Sequence, residues 1–291
     1  MIESKGQRVL GITFLFTLAF CIFEFIGGKI SGSLALIADA GHMLTDLGAI
    51  GLAFFAGHMA SRQATARMSY GFYRIEVLSA LVNGAALLTL AVFIVLEGFH
   101  RMAETPVIHT QVMIVVGLAG LVFDIISGFF LSRYAGKNIN IRGAFFHVMS
   151  DALGSVGTVA AGVIIAVTGW RYADPLVSFF IALLIVVSAW RLLKDVVQVL
   201  LEATPSRINI QILENRMLSL PGIQAIHDLH VWSISPGKES LSAHLQVEEG
   251  TDRDKILHEL HEILSRDFQI DHTTLQIETR EHRRKEKSHF H

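Results

Sequence analysis

Cysteine occurs once in this chain of 291 residues, at Cys21 inside an apolar run. That excludes a disulfide framework and a cysteine zinc cluster. Charge is also scarce. Asp, Glu, Lys and Arg make up 17% of the residues, against about 25% in a typical soluble domain. The formal net charge is −2, and no nucleotide-, kinase- or DNA-binding motif occurs, so nothing points to nucleic acid. The His-Glu-x-x-His pattern of zinc hydrolases is missing as well. What the chain has in quantity is apolar sequence: 52% hydrophobic residues and a mean hydropathy of +0.49. Composition alone leans towards a membrane protein.

Six apolar stretches are each near the ~20 residues that cross a bilayer. They run over Val9–Ile30, Leu34–Ala60, Ile75–Phe99, Val112–Ser132, Gly143–Thr168 and Pro175–Leu193. The first is too long for a cleaved signal peptide. The Ser31-Gly32-Ser33 link makes the first two a hairpin. Lys5, Arg8, Arg62, Arg67, Arg74, Arg133, Lys137, Arg142, Arg191 and Lys194 fall on one side. The positive-inside rule makes that side the cytoplasm, with both termini in it, and Trp170 and Tyr172 join an outer aromatic belt. Glycines 27, 28, 32, 41, 48, 51, 154 and 157 are expected at close helix contacts.

Against this apolar background, Asp39, His42 and Asp46 stand out. His42 and Asp46 are four apart and share a helix face. His147 and Asp151 repeat the spacing in the fifth stretch. Both pairs fall near mid-span, where a lone ionisable group is most costly and marks a site by default. One reading is local: each histidine bonds its own aspartate. The other is that two imidazoles and two carboxylates form a four-coordinate zinc site, and the repetition at matched depth favours it. Asp39 fits a supporting acceptor that orients His42, or a cap at the helix start. Glu24, Asn83 and Asp124 are expected to satisfy neighbouring helices.

The composition changes near Thr204-Pro205-Ser206. A helix over Ile208–Ser219, strands over Ala225–Ser235 and Ser240–Glu248, a helix over Asp252–Phe268 and a strand over Thr273–Thr279 follow. The fold class is thus an all-α six-helix transmembrane bundle with a C-terminal cytosolic α+β domain of ferredoxin-like type. Residues 1–203 form the six-helix transmembrane domain, 204–280 the α-β-β-α-β domain and 281–291 a charged, disordered tail. Strand parity puts His230, His244 and Glu278 on the face away from the helices. The fourteen histidines also include His258 and His261, which read as solvated surface.

The stretch Glu24–Asp46 resembles the signature of the cation diffusion facilitators, and more closely that of their bacterial zinc/cadmium exporters. Further matches are Tyr70–Leu78, His147–Val156 and His227–Trp232, so the resemblance covers nearly the whole chain. It implies a homodimeric, proton-coupled exporter in the cell membrane, with protons as counter-substrate. The transport site then uses His42, Asp46, His147 and Asp151. Histidine at both first positions points to Zn²⁺ as substrate, with Cd²⁺ and Co²⁺ as companions and Mn²⁺ or Fe²⁺ less suited. The resemblance also favours metal in the cytosolic domain on His227, His244 and Glu278, where parity had offered His230. No organic cofactor is implied. The His-rich loop of many eukaryotic relatives is missing, and Ser61–Tyr70 lacks the His and acid that some bacterial relatives carry.

Ligand chemistry agrees with zinc. Imidazole with carboxylate suits Zn²⁺ better than Mg²⁺ or Ca²⁺, and no thiolate cluster is present for Cu(I). Two other classes of function remain: an intramembrane metal hydrolase, which four closed ligands disfavour, and a metal sensor, for which no output motif is visible.

Overall fold

The computed structural model describes residues 2–135 and 139–278. The tail expected at 281–291 lies outside them. The described residues contain six long helices: α1 (Ile2–Ser31), α2 (Leu34–Ala60), α3 (Arg74–Ala103), α4 (Thr110–Ala135), α5 (Ile139–Thr168) and α6 (Ala173–Leu200). All six are long and apolar enough to cross a membrane. Most overrun the expected limits, α6 by seven residues beyond Leu193. The expectation stopped near charged residues, whereas the helical hydrogen-bond ladder continues through Lys194 and Asp195. Both residues are exposed, so their charges cost the helix little.

The chain divides into two compact units: Met1–Phe55 with Ser79–Leu193, and Ala56–Leu78 with the residues from Lys194 on. In the first unit, Leu34, Ala35 and Ala38 of α2 are buried with Leu87, Ala91 and Ile94 of α3 and Ile181, Ala182, Ile185 and Ala189 of α6. A second cluster joins Leu36 to Met113 and Val116 of α4, Ala161 and Ile165 of α5, and Ala173. Glycine lets α4 and α5 approach closely: a Cβ on Gly162 would lie 2.7 Å from Ile114, and one on Gly128 2.7 Å from Met149. Gly27, Gly28, Gly41 and Gly157 are close-packed as expected, but Gly48 and Gly51 are not. Among the described residues, no atom outside their own stretch of α2 lies within 4 Å of where their Cβ would be. Composition could not show this, because it says how near a helix can come and not whether one does.

The second unit holds α7 (Ile210–Leu218), β1 (Ile223–Ser235), β2 (Lys238–Val247), α8 (Arg253–Phe268) and β3 (His272–Glu278). Asn209 and Asp252 cap the two helices by accepting from the N–H of Ile212 and of Lys255. The sheet order is β1-β2-β3. The first pair is antiparallel across the Pro236-Gly237 turn, and the second is parallel through α8. Leu213, Met217, Val231, Leu241, Leu245, Leu260 and Leu264 form the core between sheet and helices. This is the expected α-β-β-α-β fold.

Candidate metal centres

The first centre lies between α2 and α5. His147 Nε2 is 2.9 Å from Asp46 Oδ2 and 3.7 Å from Asp151 Oδ2. His42 Nε2 is 3.5 Å from Asp151 Oδ1 and 3.8 Å from Asp46 Oδ2. Each histidine therefore has its nearest carboxylate on the other helix. The local pairing, in which each would bond its own aspartate, has the longer distance in both cases. A tetrahedral zinc with arms of ~2.0–2.1 Å has ligand–ligand edges of roughly 3.4 Å, and the four observed separations bracket that length. Ligand atoms of His42, Asp46 and His147 lie within 4.8 Å of one another. Asp151 straddles the pair, offering a different oxygen to each imidazole.

Exposure within the centre is graded. Along α2 the side chain of His42 is 9% exposed and that of Asp46 33%. Along α5, Asp151 is 22% exposed and His147 41%. Both helices thus open towards the α2 C-terminus and close towards its N-terminus. A cavity of about 20 Å³ touches His42, His147 and Asp151 and is walled by Ile181, Leu184, Ile185 and Ser188 of α6.

Neither role expected for Asp39 is seen. It is buried within the helix rather than at its start, beside Glu24 of α1. Among the described residues His42 Nδ1 is buried with no hydrogen-bond partner, so no bond from Asp39 orients the ring. Asp124 accepts from Ser155 Oγ at 2.8 Å, an interhelical contact of the kind expected for it.

The start of α2 is held by a residue that sequence reasoning passed over. Asp174 of α6 is fully buried. Its Oδ1 accepts from Ser33 Oγ at 2.6 Å and from the Ala35 N–H at 3.2 Å. Its Oδ2 accepts from the Leu34 N–H at 2.8 Å. The only hint in the sequence was an acid directly before a helix-starting proline.

The second centre lies on the sheet. His227 and His244 are cross-strand partners, with ring centroids 5.1 Å apart. The Glu278 carboxylate reaches His244 Nδ1 at 2.7 Å and His227 Nε2 at 3.4 Å. Gln276 Nε2 donates to the same carboxylate at 2.8 Å. His230 is not in the group. It pairs with Ser242 across the ladder and lies 3.6 Å from Asp228. The parity argument failed because β1 bulges between His227 and His230, with Asp228 at φ 54°. The extra residue lets both histidines leave the helix-facing side, but only His227 stands opposite His244.

Six membrane-capable helices, a histidine–aspartate centre inside them and a small α+β domain define the class: a polytopic membrane protein that handles cations. The chain belongs to the cation efflux family. Its residues 10–201 match the cation efflux transmembrane domain, and 205–280 match the cation efflux protein cytoplasmic domain. It is therefore a multi-pass cation efflux transporter with a cytoplasmic C-terminal domain, and not an enzyme. It is 39% identical over 279 residues to the zinc transporter ZitB of Pectobacterium atrosepticum, covering 95% of this chain and 87% of that one. It is 37% identical over 286 residues to the cadmium, cobalt and zinc/H⁺-K⁺ antiporter of Bacillus subtilis, covering 96% and 91%. The metal-bound C-terminal domain of the CzcD transporter from Cupriavidus metallidurans aligns over 24% of this chain and 99% of its own, at 33% identity and a TM-score of 0.24.

Proposed function

We propose that the protein exports Zn²⁺ from the cytosol in exchange for protons, with Cd²⁺ and Co²⁺ carried by the same site. His42, Asp46, His147 and Asp151 are the transport ligands. The observation that carries this reading is the crossed pairing of the two helices, whose spacing suits one ion and not two local pairs. The curated relatives are named for zinc, cadmium and cobalt, and one is named as a proton antiporter.

The donor set also accounts for exchange. Zinc binds neutral imidazole and ionised carboxylate, so loading displaces protons and protons displace zinc. A cytoplasmic C-terminal domain after six crossings supports a topology with both termini inside and the α2 C-terminal end on the cytosolic side. The graded exposure of the ligands then describes a site open to the cytosol. The metal is taken up there, the helices rearrange, and protons on the outer side compete it off. His227, His244 and Glu278 bind a further metal in the cytosolic domain, through which the protein forms a homodimer.

Zinc uptake into proteoliposomes under an imposed pH gradient tests the reading, because only a carrier gives flux. Asp46→Asn should abolish that flux while the protein remains folded. Flux retained in the variant overturns the ligand assignment, and wild-type protein without flux overturns export.

A further inference from the structure

The two halves of α2 are built differently. Leu34, Ala35, Leu36, Ala38 and Ala40 are all buried. Beyond His42, Gly48 and Gly51 face open space, and Leu44 and Phe54 are exposed. The first half is sealed almost throughout, whereas beyond His42 burial is confined to a few positions such as Leu47, Ala56 and Ala60. The sealed half ends on the Asp174 carboxylate, which takes two backbone N–H groups and one hydroxyl from the first residues of α2 and the turn before it.

We propose that Asp174 is the outer latch of the transport cycle: it holds the first turn of α2 to α6 while the site faces the cytosol, and it must release that turn before metal can leave on the other side. Only the assignment of the outer side rests on the export reading above. The N–H groups that Asp174 takes belong to the first turn, which has no intrahelical acceptors, and a negative charge there is favoured by the helix dipole. A cap within the chain already exists, since Ser33 Oγ accepts from the Leu36 N–H at 3.3 Å. Asp174 thus adds what Ser33 cannot, a tie between two helices. Arg101 of α3 fastens the same corner by donating to the Gly32 carbonyl, and it pairs with Glu97 at 2.9 Å.

Such a tie suits a gate. In the dry, closed arrangement its charge-assisted hydrogen bonds are strong and unpairing them is costly. Once the outer side opens, water replaces each partner, and the cost of separation falls. Asp174 touches neither the cavity nor the four proposed ligands, so it is a positioning residue that acts through α2.

Accessibility of a cysteine from the outer side tests the latch. In a Cys21→Ala background, Ala38→Cys places a thiol in the sealed half, and Thr158→Cys places one between α4 and α5, outside the cluster that Leu36 joins, as a control. Membrane-impermeant maleimide is added outside right-side-out vesicles. Losing a charge-assisted hydrogen bond, Asp174→Asn should raise the Ala38→Cys labelling rate about tenfold and leave the control unchanged. Ser33→Ala should raise it less, and Asp174→Glu should recover part of the protection. In Asp174→Asn the cytosolic half-saturating zinc concentration should also rise, because fewer molecules present the site inward. Unchanged labelling at Ala38→Cys, or an equal rise at both thiols, overturns the latch. Should Asp174→Asn fail to fold, Ser33→Ala with its own control decides alone. Labelling needs neither metal nor proton gradient, so absence of zinc flux in the wild type would refute export without touching this result.

Discussion

His42 and His147 each lie closer to the partner helix's aspartate than to their own, and this crossing was half legible in the sequence. The four-residue spacing on a helix fixes which side chains share a face, so the two pairs could be read directly. Which carboxylate each imidazole meets depends on how α2 and α5 face one another, and spacing does not encode that. The sheet histidines teach the reverse lesson. Parity alone selected His230, but one bulge residue at Asp228 decides that His227 stands opposite His244. Loss of His227 or His244 should therefore weaken metal binding by the cytosolic domain at least tenfold or so, the lower end of what even supporting groups around a metal contribute. His230→Ala should leave it unchanged. A metal titration of the full-length protein with the transport site disabled by Asp46→Asn checks both. Asp174 was illegible for a further reason: its partners lie about 140 residues away in sequence.

Among the elements, the six helices and the α-β-β-α-β order were readable because apolar length and alternation are strong, local signals. Helix ends were not, since charged residues near the membrane surface interrupt hydropathy without interrupting hydrogen bonding. Glycine was the other weak signal. At Gly162 the approach of Ile114 demands a missing side chain, whereas at Gly48 nothing demands it. Gly162→Val should overpack the α4–α5 contact and cost about 1–3 kcal/mol, seen as a lower melting temperature in detergent. Gly48→Ala should raise stability by roughly 0.5–1 kcal/mol, as expected for replacing glycine within a helix. A loss of stability at Gly48→Ala would mean that this face of α2 meets a surface absent from the isolated chain.

For the molecule as a whole, composition announced a membrane protein, and the charge asymmetry of the loops gives an expectation of its sidedness. What a single chain could not announce is the arrangement of two copies, because each interface residue is also a legitimate lipid- or water-facing residue. Sidedness can be tested directly: a cleavable peptide fused to the N-terminus should be cut only by protease reaching the cytoplasmic face. The exchange chemistry sets the sign of the pH response. Acid protonates the proposed ligands, so zinc affinity at the transport site should fall as pH falls, by up to about tenfold per pH unit for each proton displaced. Flux should then increase as the receiving side is acidified and collapse when the gradient is reversed, which a zinc-sensitive dye inside the vesicles would report.

The cavity beside the ligands, about 20 Å³, has one last consequence. The donor atoms beside it stand 2.9–3.8 Å apart, which leaves no room for water between neighbouring ligands. A cation reaching it must shed nearly its whole hydration shell, and only ligands that replace those waters repay the loss. Magnesium, which keeps several waters and insists on octahedral oxygen, would be turned away by lack of room before any contest over donor preference. Even a large excess of Mg²⁺ should leave zinc flux unchanged, so the protein discriminates by dehydration as well as by its donors.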